Sequence, residues 1–337
     1  MNSYERVMNR LQGRTVDRPP NLCILMGFAA QYANIPYRDF CLNSEKMVEA
    51  NIRCHKDFGV DIVTVMSDPY GEAMDYGMDV NFPPDANPSM VRPFWMEEPT
   101  VDSIPLRTIE ETSRMKARVK TIELYARQLK GECPIAGWVE GAVAEYCDLR
   151  DINRAMMDFA EEEPYLDEIL DRLTQQAIIY SEAQIDAGAD IIGLGDAACS
   201  LMGPSLYARY GFPYEKRLVD AIHAKGAKVK LHICGNCEPL LPQIAQLKAD
   251  IVDIDWMVDF KKAAEVLKGS SAVSGNFDPV SVLLRGSEED VRNAVKKCLQ
   301  DGNETTLISG GCETPPATSY ANLLAVNQAL MEYQMSN

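Results

Sequence analysis

A chain of 337 residues, 46% apolar and 25% charged, has the makeup of a soluble globular protein with a large core. Its net charge of −17 argues against nucleic acid or an anionic membrane as partner, because the long-range field repels phosphates. The N-terminal stretch lacks an apolar signal region, and no run approaches the ~18 apolar residues of a spanning helix. Ten cysteines in such a chain read as reduced thiols in the cytoplasm.

The polar, amphipathic stretch "MNSYERVMNRLQG" predicts an N-terminal helix. Short β-rich apolar runs bounded by turn residues then recur: Asn21–Gly27, Asp61–Ser67, Cys133–Gly141, Asp190–Asp196, Lys228–Cys234, Asp250–Asp255, Ser271–Asn276 and Thr305–Gly311. Their near-continuous apolar character suits strands covered on both faces. Helical stretches lie between most of them. One opens with Ser44 as a plausible N-cap and ends at Gly59. Eight strands alternating with helices predict a (β/α)₈ TIM barrel, with 1–337 as one domain. The competing fold is a doubly wound open sheet. No G-x-G-x-x-G follows the first run, which weakens a dinucleotide-binding version of it. Residues 83–104, rich in Pro and polar side chains, read as an insertion after the second strand.

Chemistry in such a barrel sits at the C-terminal strand ends. These ends carry Asp68, Glu140, Asp196, His232 with Cys234, Asn276 and Cys312. His232 and Cys234 are two apart on an extended chain and so point to one side. Cys312 leaves the last strand at the same barrel face. One imidazole and two thiolates suit Zn²⁺, and three ligands leave the open position of a catalytic site. Cys237 completes a C-x-x-C with Cys234; it reads as a bystander, or alternatively as a fourth ligand. Glu72, in "SDPYGEAMDYG", is either a solvated helix-start carboxylate or an acid able to protonate a leaving group. Glu140, Asp196, Asn276 and Tyr146 are candidates for substrate contact. Trp138 is expected to pack between strands and helices; with Tyr146 and Phe28 it is alternatively an aromatic wall.

At these residues the chain resembles the uroporphyrinogen decarboxylase superfamily over nearly its whole length, through "MSDPYGEAMDYGMDVNF" and "ISGGCETPPATSYANLLA". Decarboxylases of that family carry an arginine-rich segment after the first strand. Here "ILMGFAAQYANIPYRDF" keeps only Arg38. The pattern H-x-C-G-N followed by G-G-C-E is similar to the family's zinc-dependent corrinoid methyltransferase branch. That resemblance implies His232, Cys234 and Cys312 as zinc ligands, Asp68 as the family's acid, and Glu72 as the acid of an E-A-x-x-x-G motif. It also implies a (β/α)₈ barrel and a separate corrinoid protein as partner, since this chain holds no D-x-H-x-x-G. The expected reaction moves a methyl group from a small methoxylated compound, such as a phenyl methyl ether, to cobalt(I). Transfer from methylcobamide to a thiol, decarboxylation without metal, and a non-catalytic scaffold are the rivals. A homodimer is compatible with the sequence but marked by no pattern in it.

Overall fold

The computed structural model describes residues 1–335. Seven parallel strands form one curled sheet in sequential order: β1 Val63–Thr64, β2 Ile135–Glu140, β3 Ile191–Gly195, β4 Lys228–Ile233, β5 Ile251–Ile254, β6 Ala272–Phe277 and β7 Leu307–Gly310. Helices follow the strands and cover the outer face, giving a TIM-barrel-like α/β fold. Val139, Leu194, Leu231, Val252 and Val273 are buried on that outer side. No helix of the described residues is long and apolar enough to cross a membrane.

The first expected strand, Asn21–Gly27, is not one. It contributes a single bridge, Asn21 to Ile308, before the chain turns into the helix Met26–Tyr32. Pro19 and Pro20 bring no N–H to a ladder, and the Asn21 side chain captures the Cys23 N–H at 3.1 Å. The bridge still joins the sheet edges. Leu22 N–H donates to Ile308 at 2.7 Å, and Asp61 N–H donates to the Asn21 carbonyl at 2.7 Å. The second run shortens to two residues because Thr64 Oγ1 accepts the Met66 N–H at 3.1 Å. The other six runs match within two residues at each end.

The helix Ser3–Leu11 is fixed by a capping box between Asn2 and Glu5. It plugs the N-terminal end of the sheet. Val7, Met8 and Leu11 pack on Leu22, Ala136, Ile191, Ile251, Ala272 and Leu307, which come from around the sheet. Arg6 and Arg18 converge on buried Asp61 at 2.7 and 2.6 Å. The helix Ser44–Phe58 is capped by Asn43, not Ser44: Asn43 Oδ1 takes the Lys46 N–H, while Ser44 is helical and donates to Ala117. Gly59 ends it with φ 65°, as its sequence position predicts. In the expected insertion, Ser89–Met90 pairs antiparallel with Val80–Asn81. The loop between them reaches a cavity of about 700 Å³ that also touches Gly27, Asn34, Tyr37 and Pro316.

A candidate metal centre at the C-terminal end of the sheet

Alternation along β4 puts Lys230 and His232 on the inner face, and Cys234 follows in the same direction. His232 Nε2 lies 2.8 Å from Cys234 Sγ, and Cys234 Sγ lies 3.6 Å from Cys312 Sγ. The three ligand atoms all fall within 4.8 Å of one another. Two Zn–S bonds at a tetrahedral angle set their sulfurs about 3.8 Å apart, close to the separation seen. Cys237 is buried and outside this group.

Two features hold the trio. His232 is the register partner of Asp253 on β5, whose Oδ2 lies 3.0 Å from His232 Nδ1 and 2.6 Å from Lys230 Nζ. The carboxylate thus leaves Nε2 for a metal. Asp255 braces the loops. Its Oδ2 accepts the N–H of Gly235, a residue with φ 79°, and its Oδ1 accepts that of Trp256. Gly311 is required beside it, since a Cβ there would sit 2.3 Å from Trp256 N. Electrostatics suit a thiolate ligand. Hydrogen bonding from Cys234 draws the Cys312 pKa down against the penalty of burial, with help from His232. Burial opposes charge on His232, but Asp253 and Cys312 outweigh it and raise its pKa to about 9.

A row of register partners extends from this centre: Glu140 on β2, Gly195 on β3, His232 on β4 and Asp253 on β5. Glu140 is buried, and its Oε1 accepts the Trp138 indole N–H at 2.7 Å. Its backbone N–H donates to Glu72 Oε1 at 3.1 Å. Glu72 sits in the first turn of the helix Gly71–Tyr76 and is buried, not solvated. Burial raises its pKa against the pull of Arg118. Burial likewise pushes Glu140 well up, and Glu72 adds to it. Asp68 behaves oppositely: Arg114 at 2.5 Å and Arg118 at 3.0 Å overcome burial and hold its pKa low.

The sequence matches the uroporphyrinogen decarboxylase (URO-D) family profile over residues 2–333. The chain belongs to the uroporphyrinogen decarboxylase family. It is 26% identical to a methylcobamide:CoM methyltransferase of Methanosarcina mazei over 98% of each chain. It is 27% identical to a uroporphyrinogen decarboxylase of Syntrophotalea carbinolica over 87% of each. These likenesses support a place in the family's corrinoid methyltransferase branch. A solved methyltransferase from Methanosarcina mazei shares the fold with a TM-score of 0.86, at 21% identity and 99% coverage of both chains. A B12-independent methionine synthase from Shewanella superposes with a TM-score of 0.61 at 14% identity, covering 87% of this chain and 88% of its own.

On this family frame the remaining expected residues take other places. Asp196 is buried one residue past β3, where its Oδ1 accepts the Ala144 N–H at 2.8 Å, in the first turn of the helix Ala142–Arg150. It groups with Cys199 and Glu215, and burial raises its pKa to about 7. Asn276 donates to the carbonyls of Asp255 and Val258 at 3.0 and 2.7 Å, tying down the loop after β5. The Tyr146 hydroxyl donates to Asp158 at 2.5 Å beneath Trp95 and Phe159. Phe28 packs with Tyr32, Phe58 and Tyr320. Phe28, Tyr146 and Trp138 therefore form no common wall. Trp138 also departs from expectation by facing inward, because it shares the parity of Ala136 and Glu140. Asp253 and Lys230 join the site although the sequence pattern alone marks neither for a role. Their signal was the two-residue spacing to Asp255 and His232.

Proposed function

We propose that this protein is a corrinoid-dependent methyltransferase with a zinc centre at His232, Cys234 and Cys312. The observation that carries the reading is the convergence of these three side chains from two distant segments, with Asp253 orienting the imidazole. Bound there, zinc supplies Lewis acidity to an ether oxygen. In the favoured direction a small methoxylated compound, such as a phenyl methyl ether, is the donor. The methyl carbon–oxygen bond breaks as the methyl group passes to the cobalt(I) of a partner corrinoid protein, and the oxygen left behind takes a proton. Glu72, whose pKa burial raises against the pull of Arg118, is the proton source in this reading. Asp68, locked between Arg114 and Arg118, positions the segment that carries it. Asp196 and Asn276 brace the surrounding loops, and Tyr146 braces the helix that follows β2.

Similarity to the methylcobamide:CoM methyltransferases supports a second reading, transfer from methylcobamide to a thiol. One experiment separates the two. The purified protein is assayed for zinc and mixed with cob(I)alamin and methoxylated arenes, then with methylcobalamin and thiols, while the cobalt spectrum is followed. Methylation of cob(I)alamin is expected. Cys234→Ala and Cys312→Ala are expected to lose zinc and all transfer while the circular dichroism is unchanged, whereas Cys237→Ser keeps both. Retention of one zinc by both alanine variants rejects the ligand set.

A further inference from the structure

Arg6 and Arg10 stand one turn apart on the N-terminal helix, and they are served very differently. Arg6 pairs with Asp17 and with buried Asp61, both at 2.7 Å. Arg10 is half-buried and meets carbonyls instead. Its Nε donates to Thr306 at 2.9 Å and its Nη2 to Asn303 at 3.1 Å. Those bonds aim the guanidinium without neutralising it, and its Nη1 makes no hydrogen bond among the described residues. Burial works against charge in both side chains. At Arg6 the carboxylates of Asp17 and Asp61 outweigh it and raise the pKa, while at Arg10 it prevails over Tyr333 and Glu304 and lowers it.

Arg10 lines a cavity of about 420 Å³ at the N-terminal end of the sheet, away from the metal centre. Arg14 and Arg18 line it too. Arg18 is occupied by Asp61 at 2.6 Å and by the Gly59 carbonyl at 3.1 Å. Arg14 is exposed; its Nη1 donates to Asn9 Oδ1 at 3.2 Å, and it forms no ion pair among the described residues. Glu304 is the one acid on the wall. It packs over Gly13, where a Cβ would lie 3.6 Å from its Cγ, and makes no ion pair with Arg10 or Arg14 among the described residues.

Two guanidiniums without carboxylate partners thus face one cavity in a chain whose net charge is −17. Charges withdrawn from water are as a rule paired, and Arg6 on the same helix follows that rule. A guanidinium held in place by carbonyls, with an N–H group left over, is prepared for an oxyanion. The cavity exceeds what an inorganic oxyanion fills and falls in the range of sites that enclose small organic molecules. Part of its wall is apolar, formed by Val16, Pro19 and the Tyr333 ring.

We infer that this cavity is a binding site for a small phosphomonoester, whose phosphate takes Arg10 and Arg14 while its organic part lies on Val16, Pro19 and Tyr333. The site is independent of the metal centre and of the methyl-transfer reading. Planar guanidinium forks match phosphate oxygens, and a dianion neutralises both unpaired charges at once. The bound ligand joins the N-terminal helix and the chain just after it to the turn before β7 and to the C-terminal helix Tyr320–Met335. It therefore stabilises the folded protein by mass action.

The probe is n-butyl phosphate, with inorganic phosphate and 1-butanol as its two halves. Each is titrated calorimetrically into the zinc-loaded protein at pH 7.5, and the melting temperature is followed in parallel. The n-butyl phosphate is expected to bind at one site and raise the melting temperature. Inorganic phosphate is expected to bind more weakly, and butanol not at all at the same concentrations. Arg14→Gln and Arg10→Gln are each expected to weaken n-butyl phosphate by about ten-fold or more. Arg14 is exposed and holds only Asn9, so its variant remains informative if Arg10→Gln fails to fold. Cys234→Ala, which dismantles the metal centre at the other end of the sheet, is expected to bind the probe as the wild type does. Absence of n-butyl phosphate binding, equal affinity for butanol or for inorganic phosphate, or an affinity unchanged in a folded arginine variant overturns the inference. Loss of binding in Cys234→Ala also overturns it, by placing the anion on the metal.

Discussion

Asp253 shows how much a single side chain outside the ligand set decides. Its Oδ2 meets both His232 Nδ1 and Lys230 Nζ, so one carboxylate orients the His232 imidazole and neutralises a buried ammonium. Lys230 and His232 together overcome burial and hold its pKa far below that of an ordinary carboxyl. Asp253→Asn is expected to raise the zinc Kd by roughly 10–100-fold, measured by competition with a chromophoric chelator. An unchanged Kd reduces Asp253 to a counter-ion for Lys230. The proximity of His232 and Cys234 was legible in the sequence because a two-residue period needs only local information, and Cys312 was placed by its position at a strand end. Asp253 was not, since its partnership with His232 exists only in the register between two strands. Trp138 failed for a related reason: its spacing to Glu140 gave the inward parity, but the room it occupies is made by Gly193 and Gly195 on the neighbouring strand.

In the strands that were legible, the side chains that take a backbone N–H come from outside the run, as at Ile135, Trp138 and Val229. The two that shrank contain a side chain able to take a backbone N–H, Asn21 in one and Thr64 in the other. Hydrophobic pattern alone does not report that competition. The loop after β7 presents the opposite case, a sequence signal with a clear structural cause. Gly310-Gly311-Cys312 brings the Cys312 thiol against the loop after β5, and Gly311 is the point of closest approach. Gly311→Ala places a methyl group 2.3 Å from Trp256 N, where backbone must move. The expected outcome is loss of most bound zinc, with the far-ultraviolet circular dichroism of the sheet and helices unchanged. Full zinc occupancy in this variant would show that the two loops yield without moving Cys312.

At the scale of the whole molecule, the acidic composition has a buried counterpart. Glu72, Glu140, Glu145 and Asp148 sit within electrostatic reach of one another, and for each the largest effect is burial, which raises its pKa. For Glu145 the charges of Glu72, Asp148 and Glu140 push further the same way. The consequence for stability has a definite sign. In the unfolded chain a Glu side chain loses its proton near pH 4.3. In the folded protein it holds the proton to a much higher pH. Between those values the folded state binds more protons than the unfolded state, so stability falls as pH rises. The stabilisation is fully present below about pH 4.3 and disappears as pH passes through the raised folded values. Asp68 contributes in the other direction, since its lowered pKa stabilises the fold above the unfolded aspartate value and fails in acid. The urea midpoint is therefore expected to drop between pH 5.5 and pH 8, a range in which Asp68 and Asp253, with lowered pKa values, are ionised in both states and contribute no slope. Glu145→Gln keeps the shape and removes one titrating group, so it is expected to flatten that slope and to raise the midpoint at pH 8 relative to the wild type. The same substitution at pH 5 is expected to leave the midpoint close to that of the wild type. A midpoint that climbs from pH 5.5 to pH 8, or a variant no more stable than the wild type at pH 8, would mean that these carboxylates are ionised and solvated in the folded protein.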